Sequence, residues 1–479
     1  MSQGSNGEER MEALAARRRR RRRKHGRRRR RPAGSGVSVY KGRFGPAQAE
    51  RLLWRAGFGP RRGEAERLAK KGLKGAVESL TRPKAKKELT GPPPHDEDGR
   101  PLAPADAWGH DHLWWLDRMV RSNRPLVERM TLIWHDWFAT SEYGVDSQRL
   151  MLHQNEMFRK HGLSTFTDLL IRVTRDPAML LWLSGSENTK ESPNENFARE
   201  LMELFTLGAD RGYTEDDVRE QARALTGFQN DWDDGVGPHN FRFDPEQHDG
   251  GVKKVFGKQG NFNWRDSCRL CLEHKKHPSF FVEKLWSYFI PVPPSKKTRL
   301  SLQRLYVREN YKIRPVVEAI LKHPTLYRGP RMVKPPVVYI AGLLRGSRRG
   351  IESEDWIWMC DQMNQRLFLP PNVAGWDDAR WLDTGSWRAR WRATTQALHQ
   401  REFKTDEPYE PDAPADAVQR AIDYWGSPTI SRATRAKLVA FAERCDRGAN
   451  QSWKRKQYPV LRQNALRILV ATSPDMQAA

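Results

Sequence analysis

The stretch SPNENFARELMELFTLG, residues 192–208, reads as one helix with both ends written in. Ser192 is placed to cap its N-terminus, and Pro193 suits the first helical position, where no N–H is needed. Glu195, three residues after the cap, completes a capping box. Gly208 supplies a left-handed residue at the C-terminus. Phe197, Leu201, Leu204 and Phe205 recur at helical spacing, and Asn196, Arg199, Glu200 and Glu203 take the opposite side. A segment like this needs other apolar helix faces to pack on.

The rest of the chain provides them. Helical periodicity runs through 47–58, 64–80, 107–122, 125–140, 151–161 and 165–175. Asp176 and Pro177 open the next helix as cap and first residue, and Thr214 with Asp217 forms a second capping box. Later helices cover 278–290, 300–310, 315–323, 336–344, 415–424, 431–445 and 460–472. Strand signals are sparse. The predicted fold is mainly α, a large multi-helix, bundle-like body with long irregular insertions. Residues 1–36 read as a disordered, Arg-rich tail and 37–479 as a single helical domain. Two interruptions stand out: a polar insertion loop at 229–263 and a Trp-rich loop at 369–391.

The formal net charge is +25, and residues 17–31 hold twelve Arg and one Lys, so about half of it is local. Such a run suits nonspecific binding of a polyanion through counterion release and has nothing in it to read bases. No apolar run nears the roughly 20 residues of a membrane span. The arginines are followed by PAGSGVSVYKGRFG, too polar for a signal peptide, so a cytoplasmic location is expected. The four cysteines suggest no disulfide framework. Cys268, Cys271, His274 and His277 follow one another in steps of three, which on a helix spreads them around half the circumference, so no zinc site is expected. Phosphate loops, nucleophile elbows, HExxH and paired CxxC motifs are absent from the sequence.

Chemistry therefore has to come from a polar cluster. Asn196, Glu200 and Glu203 form one stripe at i, i+4 and i+7. It is either a solvated face with Glu195–Arg199 pairing or a buried acid–base or binding site. Apolar Ala198 and Met202 widen the greasy face, so Glu200 and Glu203 are expected to face inward, with Arg199, Arg175 and His135 as partners. His135 and Asp136 lie near the end of the 125–140 helix, and His248 and Asp249 lie in the polar insertion. Asn194 precedes the stripe. Trp376, with Asn372 and Asp377 near it, suits either stacking on a sugar ring or packing on the core.

The run TRDPAMLLWLSGSENTKESPNENFARELMELFTLG, followed by GYTEDDVREQARALTGF, strongly resembles the bacterial domain-of-unknown-function 1800 family. The resemblance continues at RLLWRAGFGP (51–60), LVERMTLIWHDWFATS (126–141), HDGG (248–251), HPSFFVEKLWSYF (277–289), LPPNVAGWD (369–377) and SPDMQ (473–477). It brings no settled activity and no cofactor. Relatives often look exported and often lie beside genes for a phosphatase/sulfatase-like family, which implies a companion protein of that kind. The family's Lys-Ser-Pro-x-Glu run departs here to Lys334-Pro335-Pro336-Val337-Val338, so any role of that Glu is lost. The combined expectation is a hydrolase acting on a polymeric or polar substrate, with Glu200, Glu203, His135 and His248 as catalytic groups. Asn194, Asn196, Arg199, Asp136, Asp249 and Trp376 are then binding residues, with no metal ligand assigned. The alternative is a noncatalytic binding or assembly protein that works with the phosphatase/sulfatase-like partner.

Overall fold

A computed structural model describes residues 36–103 and 107–479, so the Arg-rich run lies outside the described residues. Residues 38–479 cluster as one unit. Helices dominate it, and among the described residues the sheets are two antiparallel two-stranded pairs. No described helix is long and apolar enough to cross a membrane.

The helices that carry polar centres run α1 Pro46–Arg55, α2 His110–Arg121, α3 Pro125–Trp137, α4 Gln148–His161, α5 Phe166–Thr174 and α6 Pro177–Trp182. After them come α7 Glu195–Glu200, α8 Glu215–Ala224, α9 Trp264–Glu273, α10 His277–Ser287 and α11 Pro336–Ser347. Helix α11 is the hub of the core, because its side chains are buried almost all round, as its apolar sequence requires. Tyr339 and Leu343 on it share one cluster with Trp115 of α2 and with Trp425 and Leu466 from the C-terminal helices. The expected caps form: Asp176 accepts from the N–H of Met179, and Thr214 and Asp217 close a capping box.

The central segment differs from its sequence reading in two ways. Its helix starts at Glu195, with Asn194 rather than Ser192 as the cap, and Asn194 accepts from the N–H of Asn196 at 2.9 Å. Its second half, Leu201–Thr206, is a π-helix. The wider turn is held by side chains. Thr206 Oγ1 donates to the Leu201 carbonyl at 2.5 Å, and the carbonyls of Leu204, Phe205 and Thr206 accept from Lys284 Nζ, Trp137 Nε1 and His277 Nδ1 at 2.9, 3.1 and 2.9 Å. Those donors come from α3 and α10, so packing converts an α-helical sequence into a π-turn at this point. Gly208 ends it at φ 95°, in the expected left-handed region.

The insertion at 229–263 is not a loop. It forms two hairpins, β1 Phe228–Asp233 with β2 Gly237–Phe243, and β3 Lys253–Val255 with β4 Lys258–Gly260. The Trp-rich segment is irregular only in its first half. A 3₁₀ turn at Asp378–Leu382 and a helix at Thr384–Leu398 occupy the remainder.

Candidate functional site

The central stripe is a half-buried ion-pair network around Arg199. Its guanidinium reaches Glu195 at 3.1 Å, Glu203 at 3.4 Å and Glu215 at 2.7 Å. Tyr213, whose hydroxyl accepts from the Asp210 N–H at 3.2 Å, is raised to about 12 by burial first and by the Glu203 charge as well. Burial, then the charge of Glu203, raises the Glu200 carboxyl above its usual range. Neither Arg175 nor His135 pairs with these carboxylates. Arg175 is exposed and makes no ion pair, and His135 is sealed in the core. Of the three partners expected from the sequence only Arg199 pairs, and it reaches Glu203; Glu200 makes no ion pair, and both carboxyls are half-buried rather than enclosed. Asn196 lies exposed beside it.

The HDGG turn is anchored on the end of α8. His248 Nδ1 lies 3.0 Å from the Thr226 carbonyl, which makes it the donor and leaves Nε2 as the acceptor. Burial lowers the His248 pKa. Burial works to raise the Asp249 carboxyl, but Arg223 Nε at 2.6 Å and the Gly251 N–H outweigh it and hold it low. This turn joins the N-terminal side of the central helix: Lys190 N–H donates to the Gln247 carbonyl at 2.9 Å, and Asn194 N–H to Asn188 Oδ1 at 2.8 Å. The α3 helix meets the other end, where Trp137 bonds Phe205. Those ends are roughly 15 Å apart along the helix axis. His248 and the α3 residues thus flank the central helix without forming one cluster.

On α3 itself His135 is fully buried, and neither ring nitrogen has a hydrogen-bond partner. Trp115, Phe368 and Trp376 enclose it at 5.4, 5.5 and 5.5 Å between ring centroids. Burial pushes its pKa down to about 3, so it is a neutral packing residue. The Trp376 ring is the fourth member of this box and is 8 % exposed. Asp136 points the other way. It accepts from Tyr288 Oη at 2.7 Å and from the Trp376 N–H at 2.8 Å. Gly375 has φ 93°, and a Cβ there would lie 2.3 Å from Asp136 Oδ1, so the close approach of this loop requires glycine. Burial draws the nearby Lys284 down to about 8. Three segments that resemble the family, around Asp136, Tyr288 and Trp376, therefore converge on one carboxylate.

A second carboxyl centre escapes the sequence reading. The carboxyls of Asp111 of α2 and of Glu142, which opens the short helix Glu142–Val145, act directly on each other's ionisation, and Asp111 Oδ2 is buried with no hydrogen-bond donor on it. Burial, then Asp111, pushes Glu142 up to about 8, and burial also raises Asp111. Two carboxyls that act on each other resist ionising together, which favours one proton on the pair. The Arg366 guanidinium faces the pair and lies 4.1 Å over the Trp108 ring. Trp108 and Trp358 stand beside it, 5.0 Å apart and 56 % and 50 % exposed. His112 Nδ1 accepts from the Leu367 N–H at 3.0 Å, which fixes the segment that presents Arg366. The two acids are far apart in sequence and lie in unrelated motifs, so no spacing rule connects them.

Among the described residues no three His, Cys, Asp or Glu side chains converge as a metal set. Cys268 bonds Thr174 at 3.1 Å and Cys271 accepts from Gln221 at 3.3 Å. His277 is committed to Thr206 and Tyr306.

A family model described as "Protein of unknown function (DUF1800)" matches residues 51–478. No curated protein and no solved structure matches the chain.

Proposed function

The chain belongs to the DUF1800 family of proteins of unknown function, and from that premise we propose that it is a hydrolase of a polymeric or polar substrate whose acid–base pair is Asp111 and Glu142. The observation that carries this reading is the pairing of two carboxyls beside Arg366, one of them, Asp111, buried with Oδ2 left without a donor. Asp111, as carboxylate, takes a proton from a water molecule while the oxygen of that water attacks the electrophilic carbon of the substrate. Glu142, as acid, gives its proton to the substrate oxygen that gains charge. Asp111 then passes the proton it took to the leaving group, whose bond to the carbon breaks, and as the carbon–oxygen double bond re-forms the hydroxyl proton returns to Glu142, which restores the pair. A carboxyl pair that resists ionising together matches the one-proton arrangement of aspartic proteases. Arg366 suits orientation of a polar group, and the Trp108–Trp358 pair suits stacking on a ring.

This reading keeps the hydrolytic expectation and moves its acid–base work away from Glu200, Glu203, His135 and His248. A noncatalytic binding or assembly role alongside a phosphatase/sulfatase-like partner is the second reading, favoured by the surface position of the Arg199 network. Turnover assays on esters, peptides and polysaccharides separate the two. The expected result is turnover that falls as pH rises through about 8, where Glu142 gives up its proton. It should be lost in Glu142→Gln and Asp111→Asn proteins that keep their helical circular dichroism. Unchanged turnover in both variants would remove the dyad from the mechanism, and no turnover of any class would leave the binding role.

A further inference from the structure

A cleft of about 460 Å³ lies away from the dyad, between α4, the α5–α6 junction, the β1–β2 hairpin and the start of α9. Four arginines line it: Arg172, Arg175, Arg242 and Arg265. Its aromatic wall includes Phe241 and Trp264. We propose that this cleft binds a ring-bearing phosphate ester, of which a nucleoside phosphate is the simplest case.

Charge, shape and chemistry all support it. Arg175 and Arg265 are exposed and neither is in an ion pair. The Arg265 guanidinium carbon lies 4.3 Å from the centre of the Trp264 ring, which holds the cation at the rim. Arg172 and Arg242 pair with Asp168 at 3.0 Å and Asp231 at 2.8 Å. Both pairs are partly or fully exposed, hence weak, and a phosphate can compete for the guanidinium donors. The one carboxyl lining the cleft is Asp176, whose Oδ1 is occupied by Gln154 and the Met179 N–H. Burial pushes Asp176 up to about 7, so at neutral pH it is only partly a counter-charge. Phe241 is half-buried and offers a ring for stacking beside the cationic rim. The volume falls within the roughly 300–1,000 Å³ range of small-molecule sites.

Calorimetric titration of the full chain with adenosine diphosphate, inorganic pyrophosphate and adenosine tests the proposal. Adenosine diphosphate should bind best, pyrophosphate more weakly, and adenosine least. The Arg175→Ala, Arg265→Ala double variant should weaken adenosine diphosphate by about tenfold or more, as expected for lost charge-assisted hydrogen bonds. Phe241→Ala should weaken adenosine diphosphate and leave pyrophosphate unchanged. The Arg-rich run at 17–31 is present in every protein, so its own attraction for anions cancels between parent and variant, and the ligands are ranked by the affinity each loses in the double variant. Equal affinity of the double variant and the parent for adenosine diphosphate, with unchanged melting, would overturn the site. Pyrophosphate binding as tightly as adenosine diphosphate would overturn the ring-bearing assignment, and absence of binding by the parent would overturn both.

Discussion

Single residues in the helical body are held mainly by polar contacts that a sequence cannot pair. Glu128 on α3 is 1 % exposed and receives both Nε and Nη2 of Arg159, at 2.9 Å each. Cutting one partner from a buried pair strands the other charge, so Glu128→Ala should destabilise the protein by about 3–5 kcal/mol in urea unfolding. Glu142 makes a prediction of opposite character. The folded dyad keeps a proton that the unfolded chain releases once pH passes the ordinary glutamate range. Stability should therefore fall as pH rises from about 4.5 to about 8, and that slope should flatten in Glu142→Gln. A melting series across that range reads both curves. The two residues also show what the sequence leaves open. Glu128 and His135 share a line along α3, yet one is doubly hydrogen-bonded and the other touches only aromatic rings. Helical spacing assigns a side of the helix; the chemistry of the neighbour comes from another element.

Elements were legible where their ends carry local signals. Asp176-Pro177 and Thr214–Asp217 form the expected caps from residues within four positions, whereas the equally local Ser192 cap gives way to Asn194, whose N–H is held by Asn188. The π-turn at Leu201–Thr206 was not legible, since its stabilising donors lie on α3 and α10. The hairpins were missed for a related reason: β1 and β2 are half-exposed and polar, with a register shift between Gln229 and Asp231 that breaks simple alternation. Gly208 closes the π-turn at φ 95°, where a Cβ would sit 2.6 Å from Arg211 Cδ and 3.1 Å from the Phe280 ring. Gly208→Ala should cost about 1–3 kcal/mol from backbone strain, read as a lowered melting temperature. Little change on that substitution would mean the turn rearranges freely.

At the scale of the whole molecule, buried cations tie the N-terminal helices to the C-terminal segment. Lys334 is 3 % exposed, donates from Nζ to the Met476 carbonyl at 2.8 Å and lies 3.5 Å over the Trp54 ring of α1. Burial draws it down to about 7, and Lys284 to about 8. Between those values and the ordinary lysine pKa the unfolded chain binds protons that the fold does not, so these groups make stability rise with pH from about 7 to about 10. Above that, buried Tyr288 and Tyr306, raised well beyond the usual value by burial, reverse the trend. Lys334→Met should reduce the slope between pH 7 and 10 in chemical unfolding; an unchanged slope would remove Lys334 from the account. The charge of the 17–31 run belongs at this scale too. Its deletion should leave the helical circular dichroism intact and lower the salt dependence of heparin binding.

The sequence by itself determined that the protein is mainly helical, where most helices begin, and which family it resembles. Those properties reside in local capping, in apolar residues spaced at 3.6, and in long contiguous motifs. Only the tertiary structure decided which polar residues meet. It sealed His135 among Trp115, Phe368 and Trp376, paired Glu203 with Arg199 in a half-buried network, and set Arg175 on a different cleft. It also brought Asp111 against Glu142, which no spacing rule connects. Burial and proximity set the protonation of a carboxyl, and both are properties of the packed body rather than of any stretch of chain.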